Sequence, residues 1–309
     1  MMLEGMRKHG MRKHGMEKLR LAVGYAAIAG TLPYLALKFS WLSGGDLGVV
    51  DPEAMATPEM YFGNAFTAGM DVVAIVVALA FTHDWGNRLP AWLVLFPAWV
   101  GTGFLAPIVL SAPVIGFDLA LGERPDDVLA HWVVPVVYGS FIWQGCTLLT
   151  AFVLYARQRW PHAFAAGRHL GRPGVLGGSG AALAVLTAVA LLVRAYTGTG
   201  SPATRFVEGL VGVLALVAAA AVVARVRAPR RAWWPVVAGW TGSAAMFSGG
   251  FWATFTLAGF TASPGVGEVL VRSGQTLGGV LLAAALLGTA RAASGAAASE
   301  RARHAVPQR

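Results

Sequence analysis

Charge is scarce in this chain. Of its 309 residues, 13% are Asp, Glu, Lys or Arg and 56% are hydrophobic, with a mean hydropathy of +0.60. A soluble domain carries roughly 25% charged residues to cover its outside, so the water-soluble class is excluded. Cysteine occurs once, at Cys146, which rules out an intrachain disulfide and any Cys-based zinc or haem pattern. Lysine stops at Lys38, so the later apolar runs offer no amine for a retinal-type Schiff base. The sequence has no G-x-x-x-x-G-K-[ST], H-E-x-x-H or C-x-x-C, and its nearest approach to G-x-S-x-G, Gly177-Gly-Ser-Gly-Ala181, lacks the last glycine. ATP-driven transport within the chain is therefore not expected, nor is a metal or a cofactor. No stretch between the apolar runs exceeds about 20 residues, too short for a core of its own.

A helix needs about 20 apolar residues to cross the hydrocarbon layer. Such runs lie near 20–41, 60–82, 91–113, 131–156, 174–196, 204–225, 233–261 and 266–290. The expected fold is all-α, a polytopic membrane helix bundle of eight transmembrane helices. Pro97 and Pro107 interrupt the third run and Ser248-Gly249-Gly250 the seventh; neighbouring helices can re-satisfy the backbone at such breaks.

Basic loops stay in the cytoplasm. With the N-terminus inside, all but five of the 24 lysines and arginines fall on that side. Lys38, Arg124, Arg194, Arg205 and Arg272 lie outside, with the acids Asp46, Asp51, Glu53, Glu59 and Asp118. Both termini are expected to be cytoplasmic. The net charge of +9 then follows from topology and attraction to anionic inner-leaflet lipids, and nucleic acid is not needed as a partner. The Ala, Gly, Val and Arg bias points to a GC-rich bacterial genome and the bacterial cytoplasmic membrane. The head holds a tandem repeat, Gly5-Met-Arg-Lys-His9, Gly10-Met-Arg-Lys-His14 and the decayed Gly15-Met-Glu-Lys-Leu19. It reads as a basic tail before an uncleaved first helix, with Met6, Met11 and Met16 as alternative starts.

Repeats extend through the chain. At an offset of 141, Trp92, Trp99, Gly101 and Thr102 match Trp233, Trp240, Gly242 and Ser243. At 156, Thr31, Leu35, Lys38 and Gly44 match Thr187, Leu191, Arg194 and Gly200. At 134, Gly145, Ala151 and Ala156-Arg157 match Gly279, Ala285 and Ala290-Arg291. The organisation expected is a cytoplasmic tail (1–19), a four-helix repeat (20–157), a basic linker (158–173), a second four-helix repeat (174–291) and a cytoplasmic tail (292–309). Because four is even, the repeats run parallel, related by an axis along the membrane normal. The stretch Leu37-Lys-Phe-Ser-Trp-Leu-Ser-Gly-Gly45, with Trp85-Gly-Asn-Arg-Leu-Pro90, resembles an uncharacterised family of small four-helix bacterial integral membrane proteins, here duplicated. That family brings no activity and no ligand residues.

A charge at the bilayer centre costs at least roughly 2.5 kcal/mol, which singles out Asp71. Asn64, Thr67 and Asp71 fall at i, i+3 and i+7 on one helical face, and the fourth run adds Ser140, Gln144 and Thr147. Asp71 is a candidate for binding and releasing a proton, or alternatively is packing glue between helices. Lys38, Arg194, Arg205, Glu208, Glu268 and Arg272 sit near the outer interface, where long cations snorkel. The outer loop groups Glu123, Asp126, Asp127 and His131 in the manner of a divalent-cation site, although an ordinary acidic loop accounts for it as well. Three functions follow in order of support. The first is a permease or efflux-type transporter of a small solute, proton-coupled through Asp71. The second is a non-catalytic subunit or scaffold packing against a membrane partner or a second copy. The third is a membrane-embedded enzyme acting at the outer face through the Glu123 to His131 loop.

Overall fold

The computed structural model describes residues 2–121, 128–161, 174–227, 233–260 and 265–304, with side chains described over 15–121, 128–161, 174–224, 233–259 and 265–288. Among these residues the elements are helical, apart from one isolated bridge between Val49 and Leu129.

Helix α1 (Met2–Leu42) runs from the basic repeat through the apolar stretch and past Pro33 without a break. It ends where Gly44, at φ 83°, takes the left-handed conformation that glycine adopts without a Cβ clash. A short α2 (Pro52–Met55) is capped by Asp51. In α3 (Pro58–Thr82), the Thr57 side chain accepts from Met60 N, Pro58 opens the first turn and Glu59 meets the helix dipole. The single turn α4 (Trp85–Arg88) leads into α5 (Ala91–Leu110) and α6 (Ala112–Leu121). Pro97 and Pro107 lie within α5, and the break comes at Ser111, two residues before Pro113. Helix α7 (Val133–Arg159) follows. Next are α8 (Val175–Thr197), α9 (Pro202–Arg227), α10 (Trp234–Phe260) and α11 (Val266–His304). Helix α9 starts as α3 does, with a first-turn proline and a hydroxyl, Ser201 Oγ, accepting from Thr204 N at 3.3 Å.

Among the described residues, seven helices are long and apolar enough to cross a membrane: the segment Gly15–Leu42 of α1, then α3, α5, α7, α8 and the apolar parts of α9 and α11. Helix α10 matches α7 in length, 27 residues each, and carries no charge. Gly, Ser, Thr and Trp occupy places that Leu and Val hold elsewhere, so it is less apolar than the seven. The chain is a multi-pass integral membrane protein. Outward-facing side chains such as Phe62, Val73, Val76, Leu186 and Val189 meet lipid.

The chain divides into two compact units. In the first, made of Met1–Ala98, Ile108–Ala112 and Leu119–Arg159, α1, α3 and α7 pack on one another. Gly30 lets α1 approach α7, since a Cβ there would collide with the Trp143 ring. The Trp143 indole donates to Ala26 O at 2.8 Å, and Ser140 Oγ donates to Gly30 O. At the other end, Arg20 donates to Gln158 at 2.6 Å and to Thr82 O at 3.0 Å. There too, Gly86 O accepts from Tyr155 and Arg159 at 2.8 Å each.

The second unit takes Trp99–Pro107, Pro113–Asp118 and Trp160–Arg309. Its core is built on small residues, Ala184, Ala188, Ala215 and Ala218, around Met246 and Leu282, as close helix approach in a membrane requires. Within this unit the middle of α5 lies on α10. Trp99 Nε1 donates to Ser243 Oγ at 3.1 Å, and Trp240 Nε1 donates to Thr102 Oγ1 at 3.1 Å. Gly103 abuts Ala244, whose carbonyl a Cβ at residue 103 would strike.

Candidate functional site

Asp71 lies near the middle of α3 and is 5% exposed. The periodicity of α3 turns Asn64 and Thr67 to the same side, and that side faces α1 and α7. Thr67 donates its hydroxyl to Gly63 O of its own helix at 2.8 Å and stands beside the Tyr34 side chain of α1. Asn64 is buried and accepts through Oδ1 from Lys38 Nζ at 2.6 Å. From α7 comes Gln144, buried and set against the Asp71 carboxyl. The two side chains interact at close range, but more loosely than an aligned hydrogen bond. Asp71 Oδ2 and Gln144 Nε2 are both buried with no hydrogen-bond partner.

Lys38 belongs to this group. It is 6% exposed and points into the first unit instead of running out to the interface. Its ammonium sits 4.5 Å from the Tyr34 ring centroid and 5.1 Å from that of Trp41, within cation–π range. Lys38 and Asp71 are within electrostatic reach of one another. Among the described residues no carboxylate stands within ion-pair distance of Lys38, and its hydrogen bond goes to a neutral amide. The cluster thus draws Lys38 with Tyr34 and Trp41 from α1, Asn64 and Asp71 from α3, and Gln144 from α7. Tyr34, Lys38 and Trp41 lie at i, i+4 and i+7, the same one-face spacing that singles out Asp71 on α3. Applied to α1, that spacing is the signal that would have joined the two aromatics to the lysine.

The other interface charges gather in the second unit. Arg272 Nη2 approaches Glu208 at 2.6 Å and Glu268 at 3.5 Å, while Arg194 approaches the same two carboxylates at 3.4 and 3.2 Å. Arg205 donates to Ala195 O at 2.9 Å and Tyr196 O at 2.8 Å. Two cations and two anions of this network balance, which suits a structural clasp. One helical turn from Arg272, Gln275 is almost wholly buried with Oε1 unpartnered, a feature the sequence reading missed. Glu123, Asp126 and Asp127 lie outside the described residues. Among the described residues no group of three or more His, Cys, Asp or Glu side chains could hold a metal ion.

The chain matches no protein-family model, no curated protein and no solved structure.

Proposed function

We propose that this chain is a small-solute transporter of the bacterial cytoplasmic membrane, with eight spans in two parallel four-helix repeats, both termini cytoplasmic, and Asp71 as its proton carrier. The observation that carries the reading is the unmet hydrogen-bonding capacity of Asp71 Oδ2 and Gln144 Nε2 in the first unit. Buried polar groups kept for packing are normally bonded, and orphaned ones call for an explanation. A carboxyl with a free oxygen inside an apolar bundle is equipped to take and give up a proton.

The duplication supplies an internal control. The shared start of α3 and α9, Thr57-Pro58 against Ser201-Pro202, sets an offset of 144, which pairs Asn64 with Glu208 and Asp71 with Ala215. The offset of 134 pairs Gln144 with Gly278. In each half a cation on the first helix meets the polar residue of the second, Lys38 with Asn64 and Arg194 with Glu208. The deeper acid occurs in the first half alone, while α11 carries its own buried amide, Gln275, three residues from the counterpart of Gln144, so packing of the repeat does not need the acid. The exchanged bonds of the tryptophans support the repeat itself. Trp99 reaches the counterpart of Thr102 and Trp240 reaches Thr102, while Gly103 meets its own counterpart, Ala244. Such reciprocity is the mark of a two-fold contact.

The test is Asp71→Asn in sealed everted vesicles, with solute-stimulated proton movement followed by a pH-sensitive dye across a panel of small metabolites. The substitution keeps shape and hydrogen bonding and removes titration. The protein should express and fold as wild type while proton movement is abolished. Unchanged proton-coupled flux in Asp71→Asn would return Asp71 to helix glue and leave the scaffold reading.

A further inference from the structure

The first-unit cluster sets a buried ammonium and a buried amide donor beside one carboxyl. The Lys38 ammonium has three protons and one acceptor, Asn64 Oδ1, while its other directions face the rings of Tyr34 and Trp41. Gln144 Nε2 adds two protons, with the Asp71 carboxyl beside it but no aligned acceptor. Among the cluster's acceptors, Asp71 Oδ2 is fully buried and unbonded. An ammonium in the cluster also disfavours a metal or organic cation by direct repulsion. The second half shows what a cation at the equivalent place needs when no ligand is served, because Arg194 is met there by the carboxylates of Glu208 and Glu268. Lys38 has been left a neutral amide instead.

Resting on the transport reading above, we infer that this site takes a small monovalent carboxylate, held by Lys38 and Gln144, and that a proton enters Asp71 with it. Charge bookkeeping gives the coupling. Lys38 and Asp71 sum to zero when both are ionised. An anion beside Lys38 brings the site to −1, and a proton on Asp71 restores neutrality. In a medium of low dielectric the two arrivals therefore favour each other, and by linkage each strengthens the other to the same degree. The titratable groups facing Asp71 are Lys38 and Tyr34, both from α1, and α7 presents the neutral Gln144. No covalent step is involved; one anion and one proton move together without net charge.

Formate, the smallest carboxylate, is the probe, added to the full chain in phosphatidylcholine nanodiscs at constant ionic strength. Binding should raise the thermal unfolding midpoint, more at acid than at neutral pH, with methylammonium giving no effect. In weakly buffered solution each formate bound should draw up to one proton from the medium. Lys38→Gln should weaken formate binding by about tenfold or more. Asp71→Asn should bind formate with an affinity that no longer changes with pH. Should Lys38→Gln fail to fold, proton uptake by the wild type decides alone. No formate-specific shift, stabilisation by methylammonium instead, an unchanged affinity in Lys38→Gln, or formate binding without proton uptake would each overturn the anion assignment. Loss of coupled flux in Asp71→Asn without formate binding would leave the proton-carrier reading standing and remove this one.

Discussion

Asp71 and Lys38 show how burial separates a functional residue from a structural one. A carboxyl used as glue is bonded, so replacing it with an apolar side chain removes an interhelical bond; such bonds average about 0.6 kcal/mol in membranes. Asp71 Oδ2 has no such bond to lose. Asp71→Leu is therefore expected to lose no bond of that kind; combined with Lys38→Met, which removes the opposite charge along with it, it should leave stability within about 0.5 kcal/mol of wild type. Reversible unfolding in mixed micelles measures this, and a loss well above that margin would point to a structural bond. The Asn64, Thr67 and Asp71 face was legible in the sequence because it is a matter of helical period. Lys38 was not assigned to it, since a lysine near a span end is ordinarily free to snorkel. Its inward course depends on the facing of α1, which Gly30 and Trp143 set through a contact more than a hundred residues apart in sequence.

Between helices, two kinds of tie hold the units, close approach and charge, and they respond differently to substitution. Gly30→Val would force a branched side chain into the Trp143 ring, an overpacking that costs typically 1–3 kcal/mol. The loss should appear as a lower unfolding midpoint, with Gly30→Ala affected less. The clasp of the second unit is graded by exposure. The Arg272 side chain is 10% exposed and that of Arg194 41%. Arg194→Gln should cost about 1 kcal/mol or less, as exposed pairs do. Arg272→Met should cost more than Arg194→Gln but less than the roughly 3–5 kcal/mol of a wholly broken buried pair, because Arg194 still meets both carboxylates, and the double variant Arg272→Met with Glu208→Leu should recover most of it. Equal losses for Arg194→Gln and Arg272→Met would refute this grading. At this scale the sequence indicated where helices run better than where they stop. Pro97 and Pro107 marked breaks that α5 does not have, and Ser248-Gly249-Gly250 leaves α10 continuous. Ser248 Oγ, donating to Val100 O at 3.0 Å, shows the neighbour that steadies that stretch.

For the molecule as a whole, α10 decides the topology by parity. Among the described residues seven helices meet the length and hydropathy of a span, and with seven crossings the two termini would lie on opposite sides. Helix α10 is long enough to be an eighth, and its lower hydropathy comes from Gly, Ser, Thr and Trp, the residues that bring helices together in a membrane. If it crosses, the basic turn Ala228-Pro-Arg-Arg-Ala232 falls on the cytoplasmic side and α11 runs in the direction of α7, as a parallel duplication requires. If it does not, α11 is inverted relative to α7 while α8 and α9 keep the sense of α1 and α3, and the equivalence of the halves is lost. Reporter fusions separate the two cases. Fusions at both termini and near residue 230 should read cytoplasmic, and those near residues 46, 120, 200 and 263 should read outside. A C-terminal reporter reading outside, with the N-terminus inside, would give α10 a lodging within the membrane and leave the exchanged tryptophan bonds without the symmetry that a duplication supplies.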